Sequence, residues 1–167
     1  MPTNVLSDKF NPHNAHYGIK YVDKKGKEQK LDGDNALGFG FTYQDKTYTF
    51  QFVEAEEPYT FMGFTYRGDF LNLLSDGKCK LYEKTVEKNT STGVIYEHEF
   101  LLWKDRYNFH LTDSRLLKIR IVGNGKSLEE LFSDCPDLVT RIQNKEFKKG
   151  DDKWLRLVQY YNTNCAE

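Results

Sequence analysis

Carboxylates, histidines and thiols are the groups from which this chain could build chemistry, and their spacing limits what they can do. Glu54, Glu56 and Glu57 stand within four positions of one another. Two carboxylates on opposite sides of a glycosidic bond serve as acid and base, or as acid and nucleophile. Near-adjacent positions do not provide that facing geometry, so a charged loop between two strands is the simpler expectation. His13 and His16 have a spacing open to metal ligation in the turn-rich lead-in; solvated loop histidines are the competing reading. Asp32-Gly33-Asp34-Asn35 looks like the start of a calcium loop, but the downstream bidentate Glu is missing and an Asx-rich turn accounts for it. His98-Glu99 continues as Phe100-Leu101-Leu102 on a strand-like segment, which is not the helical zinc-protease motif. No nucleophile elbow, phosphate loop or dinucleotide fingerprint occurs. Cys79, Cys135 and Cys165 form no C-x-x-C pair and do not cluster with His13, His16, His98 or His110, so no zinc site is expected. The sequence assigns no catalytic residue, no metal and no cofactor.

Aromatic residues supply the other candidate. Tyr59, Phe61, Phe64 and Tyr66 crowd around Gly63 beside Arg67. Rings so grouped form a stacking platform for sugars or an interface hot spot, or they simply pack a sheet face. The chain carries 12 Phe, 11 Tyr and 2 Trp in 167 residues, a composition that folds around aromatic side chains despite a mean hydropathy of −0.73. Its 24 Lys and Arg offset 25 Asp and Glu to a net charge of −1, so it has no bulk basic field for nucleic acid or an anionic membrane. No apolar run reaches the roughly 18 residues of a membrane span. Length predicts a single domain over 1–167.

These residues need elements to position them. Residues 1–15 read as an irregular lead-in around the turn Asn11-Pro12-His13-Asn14. Tyr17–Val22 and Lys27–Leu31 read as a hairpin about Asp23-Lys24-Lys25-Gly26. Leu37, Phe39, Phe41 and Tyr43 alternate at period two, as do Tyr48, Phe50 and Phe52, across Gln44-Asp45-Lys46. This second hairpin has an aromatic face that dimerisation or the C-terminal helices must cover. Glu54–Pro58 breaks the pattern. Asp69–Leu74 and Lys78–Val86 flank Ser75-Asp76-Gly77, where Asp-Gly suits a tight turn. Val94–Lys104, Tyr107–Leu111 and a segment through Leu117, Ile119 and Ile121 follow, with a helix from Asp113 as rival for the last. About eight to ten short strands are expected over 16–122, as a meander. After Gly123-Asn124-Gly125, Ser127 and Glu130 form a capping box, Pro136 opens a second helix, and Trp154, Leu155, Val158 and Tyr161 stripe a third. The fold class is α+β: an antiparallel meander, as open sheet, sandwich or partial barrel, followed by three helices over 123–167. A helical hairpin could join Cys135 to Cys165 in an oxidising compartment, and two ordinary thiols fit the spacing equally.

Several segments together carry a resemblance. Gly38-Phe39-Gly40-Phe41 with Lys46-Thr47-Tyr48, Gly77–Glu83, Phe100–Lys104, Leu131-Phe132-Ser133-Asp134-Cys135-Pro136-Asp137-Leu138-Val139, Asn144–Phe147, and Tyr160-Tyr161-Asn162 with Cys165 resemble a family of exported Bacteroidetes-type proteins of unassigned function. The resemblance covers roughly residues 16–165 and is most specific in the Asp-Cys-Pro-acidic-Leu-Val segment. It implies a signal peptide on the full-length protein, a periplasmic or surface location and a Cys135–Cys165 disulfide, and it supplies no reaction. The chain departs from that family in lacking the leader and the first strand or hairpin, which fits trimming, and in its extra Gly123-Asn124-Gly125 loop. Met1–Asp8 has no signal-like stretch, which fits either a removed leader or a cytosolic chain.

The expectation is a non-enzymatic exported domain that binds a protein or glycan through a sheet face or loops. Two rivals are a small hydrolase using Glu54 or Glu57 and a structural envelope component.

Overall fold

A computed structural model of the chain describes residues 15, 18–61, 64–91, 93–104, 107–112, 121–122 and 127–166; within the strands, the side chains of 55–61, 64–66, 86–88, 96, 107–112 and 121–122 lie outside that description. Nine strands and three helices are present among these residues. Strands β1 (Ile19–Val22) and β2 (Glu28–Leu31) form a separate two-stranded hairpin. The others are β3 (Gly38–Tyr43), β4 (Lys46–Phe61), β5 (Phe64–Ser75), β6 (Cys79–Thr90), β7 (Gly93–Lys104), β8 (Tyr107–Thr112) and β9 (Ile121–Val122). These seven pair in chain order as an open meander, not a barrel. Helices α1 (Leu128–Leu131), α2 (Pro136–Gln143) and α3 (Lys153–Asn164) complete the α+β fold. The chain divides into two compact units, 1–72 and 73–167.

In the first unit, hairpin geometry follows from turn chemistry. Asp23 Oδ1 accepts the Lys25 and Lys27 amides at 2.8 and 3.0 Å, closing the β1–β2 turn. The β3–β4 turn places Gln44 (φ 48°) and Asp45 (φ 61°) in the left-handed region, as a two-residue hairpin with matched twist requires. Phe39 then lies opposite Phe50 and Phe41 opposite Tyr48. Phe50 and Phe70 are buried, with Ala15, and Phe39, Phe41, Tyr48, Phe52, Ile19 and Ala36 pack against them partly buried.

Glu54–Pro58 does not end a strand, contrary to the loop expected there. Strand β4 continues through it, and the break survives as a register shift: Glu54 pairs with Gly68, and regular pairing resumes at Tyr59 and Tyr66. Gly68 has φ +154°, and a Cβ there would collide with the Val53 carbonyl. Only glycine lets the two backbones approach at this point.

In the second unit the helices cover the sheet. Cys79, Leu81 and Leu102 from β6 and β7 share one core with Leu128, Leu131, Phe132, Cys135, Leu138, Trp154, Leu157, Val158 and Tyr161. The capping box forms as the sequence predicts: Ser127 Oγ accepts the Glu130 amide at 3.2 Å, and the Glu130 carboxylate accepts the Ser127 amide at 2.8 Å. Pro136 starts α2, where its missing N–H costs nothing. Leu157 belongs to the buried face of α3 with Trp154, Val158 and Tyr161. The expected stripe names Leu155 instead, which is only partly buried.

Cys135, at the N-cap of α2, and Cys165, at the C-cap of α3, form a disulfide with Cα atoms 5.6 Å apart. Cys79 takes no part in the disulfide and is fully buried at the start of β6. The side chain of Asn162 fastens α3 to the β5–β6 turn. It accepts the Cys79 amide at 3.0 Å and donates to the Cys79 carbonyl at 2.8 Å and the Asp76 carbonyl at 3.3 Å. Gly77 has φ +149°, and a Cβ there would lie within 2.6–2.8 Å of the Asn162 amide group. The Asp-Gly pair therefore serves both the turn and the clamp. The segment 113–120, where strand and helix compete in the sequence, lies outside the described residues, as do Asp105-Arg106 and the Gly123-Asn124-Gly125 loop.

Candidate functional site

Period-two alternation on β3 and β4 gathers the rings of the first unit. Phe39 and Phe50 stack with centroids 5.2 Å apart, Phe41 and Tyr48 at 5.3 Å, and Phe41 and Phe50 at 5.9 Å, with interplanar angles of 13–21°. Phe70 tilts against Phe39 at 4.8 Å, and Phe52 meets Phe70 edge-on at 5.2 Å. Parallel offset rings gain attraction beyond their buried area. Lys46 Nζ sits 4.9 Å from the Tyr48 ring centroid, giving that end of the row a cation–π contact. The reverse face carries Gly38, Gly40, Thr42, Thr47 and Thr49, all exposed, with Thr42 and Thr47 hydroxyls 3.3 Å apart. One ribbon thus presents a ridge of rings and, behind it, a flat face of glycine and threonine.

Of the aromatic group singled out from sequence, Tyr59 and Phe61 lie on β4 beyond the register shift, and Phe64 and Tyr66, with Arg67, lie on β5. Tyr59 stands opposite Tyr66 and Phe61 opposite Phe64, two successive same-parity pairs near the hairpin end. Their side chains lie outside the described residues. Arg67 is exposed and bonds Asp34 through Nη1 at 3.3 Å. Asp34 itself is part of a closed Asx turn, in which the Asp32 carboxylate accepts the Asp34 amide at 3.2 Å and Asn35 Oδ1 accepts the Asp32 amide at 3.0 Å. The Asx turn expected from the sequence is formed here. Glu54 is exposed on β4, whereas the side chains of Glu56 and Glu57 lie outside the described residues, as do His13 and His16. His98 Nδ1 pairs with Glu83 at 2.8 Å. Among the described residues no three His, Cys, Asp or Glu side chains converge as a metal site.

Sequence reasoning did not find a polar cluster in the second unit. Lys104, with only 5% of its side chain exposed, pairs with Asp134 at 3.1 Å, and its ammonium lies 5.1 Å from the Tyr161 ring centroid. The Tyr161 hydroxyl donates to Asp134 at 2.6 Å. Burial pushes the Asp134 carboxyl up, but the Tyr161 hydroxyl and the Lys104 ammonium outweigh it and hold the group below its ordinary range. Burial, with the Asp134 bond adding to it, pushes the Tyr161 phenol up to about 12. Near neutrality Asp134 is therefore a carboxylate and Tyr161 a phenol, and the two are bonded to each other. Such a set ties β7, the turn before α2, and α3 together. The signal available in the sequence was Lys104 ending an otherwise apolar strand run, Phe100-Leu101-Leu102-Trp103.

A second cluster lies at the surface. Asp137 binds the Tyr160 hydroxyl and Arg141, at 3.2 Å from Nε, while Arg141 stacks 4.6 Å from the Tyr160 ring centroid and reaches Glu146 at 3.1 Å. The Tyr160 hydroxyl and the Arg141 guanidinium beside Asp137 hold its carboxyl below the usual range. Comparison of the chain with protein-family models, with curated proteins and with solved structures gave no match.

Proposed function

We propose that this chain is an exported, non-enzymatic binding domain that holds a protein or glycan partner through the aromatic sheet surface of its N-terminal unit. The observation that carries the reading is the stacked row Phe39, Phe41, Tyr48 and Phe50, in which only Phe50 is buried and the others are partly exposed. Partly covered rings held rigid by their neighbours are suited to sugar faces and to protein hot spots, because little side-chain entropy remains to be lost on binding. Tyr59, Phe61, Phe64, Tyr66 and Arg67, further along β4 and β5, are included in the proposed binding region. Export is supported by the Cys135–Cys165 disulfide, since such bonds persist in oxidising compartments, and by the resemblance to exported proteins. No described helix is long and apolar enough to cross a membrane.

Binding of the purified chain to an immobilised oligosaccharide panel and to envelope protein fractions tests the proposal. Saturable binding is expected, weakened at least tenfold by Tyr48→Ser and by the Tyr59→Ser, Tyr66→Ser pair, with the melting temperature little changed. A carboxylate hydrolase makes the opposite prediction. Turnover of a glycan that Glu54→Gln or Glu57→Gln abolishes, with the fold intact, would overturn the binding-domain reading.

A further inference from the structure

Strand β3 has one side that no other described strand pairs. Among the described residues it pairs with β4 alone. The bond from the Phe52 amide to the Leu37 carbonyl, 2.9 Å, sets the phase of that ladder. Leu37, Phe39, Phe41 and Tyr43 direct their backbone groups to β4, and Gly38, Gly40 and Thr42 direct theirs outward. Strand edges are ordinarily protected by lysine, proline or a bulge. Gly38–Tyr43 has no charge and no proline, and its register with β4 is uninterrupted. Leu37, just before it, is 90% exposed, more than any other large hydrophobic residue described.

We propose that the β3 edge pairs antiparallel with β3 of a second copy of this chain, about a twofold axis at Gly40. The extended segment 37–43 has Gly40 at its midpoint, and this register alone overlaps the whole segment with itself while keeping ring faces on one side. Gly40 meets Gly40 of the second copy, and Gly38 meets Thr42, so the outward groups of both chains form about six hydrogen bonds. Phe39 comes opposite Phe41 of the second copy in the closely spaced, non-hydrogen-bonded positions, which continues the stacked row from one chain into the next. Leu37 comes opposite Tyr43 of the second copy and gains the cover it lacks. No like charges are opposed, and the isologous contact closes at two copies. The inference goes beyond the proposed function, because it uses the strand edge and not the ring face.

Sedimentation of the full chain over a wide concentration range, together with cysteine cross-linking, tests it. The unaltered chain is expected to associate reversibly to a dimer. Gly40→Pro removes an outward N–H and leaves the β4 ladder intact, and it should raise the dimer dissociation constant at least tenfold. Gly40→Cys keeps the test independent of proline strain: a Cβ there meets only the Tyr48 carbonyl oxygen, at 3.3 Å. Residues paired across this register have Cα atoms about 5.5 Å apart, within disulfide range. Gly40→Cys should therefore cross-link on mild oxidation. Thr42→Cys should not, because its copy lies about four residues along the strand, roughly 13 Å away. A chain monomeric at every concentration overturns the proposal, and so do equal cross-linking at both positions or a monomer whose Gly40 amide resists hydrogen exchange. The last outcome would mean that the chain's own residues cover the edge.

Discussion

The two units each have a sheet face to cover and do it by different means. In 73–167, three helices place Phe132, Leu138, Trp154, Leu157 and Val158 over Leu81 and Leu102, and the polar exceptions, Lys104 and Asn162, are tied to partners. In 1–72, the described cover over the rings is small, Ala15, Ile19 and Ala36, and the rings rely heavily on one another. A helix-covered face buries more apolar area per residue and is the more stable arrangement. A self-stacked face gives up part of that burial and leaves several of its rings partly exposed. On the proposed function, the helix-covered unit serves stability and the ring-bearing unit serves recognition.

This contrast can be broken at several points. Phe132→Ala removes a fully buried ring and should cost about 3–5 kcal/mol in the second unit. Both tryptophans, Trp103 and Trp154, lie in 73–167, so their fluorescence follows that unit, while hydrogen exchange at β3 and β4 amides follows the other. The expected result is an early fluorescence transition with β3–β4 protection retained; simultaneous loss of both signals would erase the distinction. Replacing Cys135 and Cys165 by serine opens a loop of separation 30, for which the loop-entropy account gives about 3–4 kcal/mol, read by denaturant titration with and without reductant. Asn162→Ala leaves the Cys79 amide without its side-chain acceptor and should cost about 1–3 kcal/mol, seen as faster exchange at Cys79.

Alkaline titration sharpens the contrast further. Tyr82 and Tyr161 are both held up at about 12, chiefly by burial, against about 10 for an unfolded tyrosine. A raised pKa gives stability that is complete below the unfolded value and is lost as pH rises through the folded one. The second unit should therefore weaken between about pH 10 and 12, as phenolate absorbance rises. Asp134 works in the opposite direction: its lowered pKa contributes stability above the unfolded value, lost as pH falls below about 4, and Asp134→Asn should remove that acid step. The smallest effect is expected in the first unit. Gln44→Asn with Asp45→Gly suits the left-handed turn and should raise stability by about 1 kcal/mol, measured by thermal denaturation.

Where a local signal decides structure, the sequence is easily read. Asp76-Gly77 marks the β5–β6 turn, Ser127 with Glu130 marks the start of α1, and Pro136 opens α2, because each rests on contacts between near neighbours. Pairing across distance is harder. Glu54–Pro58 looks like a break because charge and proline disfavour strands locally, yet β5 carries β4 through it by way of a shifted register and Gly68. Lys104 reads as a strand's polar end and is instead buried, because Asp134, thirty positions later, supplies its counter-charge. For the candidate site, the alternation of rings on β3 and β4 was legible as a face needing cover. Their mutual stacking was not, since it depends on the Phe39–Phe50 and Phe41–Tyr48 register.

The disulfide between the start of α2 and the end of α3 also determines how the chain responds to tension. A pull on the C-terminus travels from Cys165 directly into Cys135 and bypasses everything between them. A separation of 30 residues corresponds to about 100 Å of extendable backbone, and none of it can be drawn out while the bond is intact. Reduction releases that length, so the redox state of one bond decides whether the helical end of the molecule behaves as a short, stiff link or as a long, yielding tether.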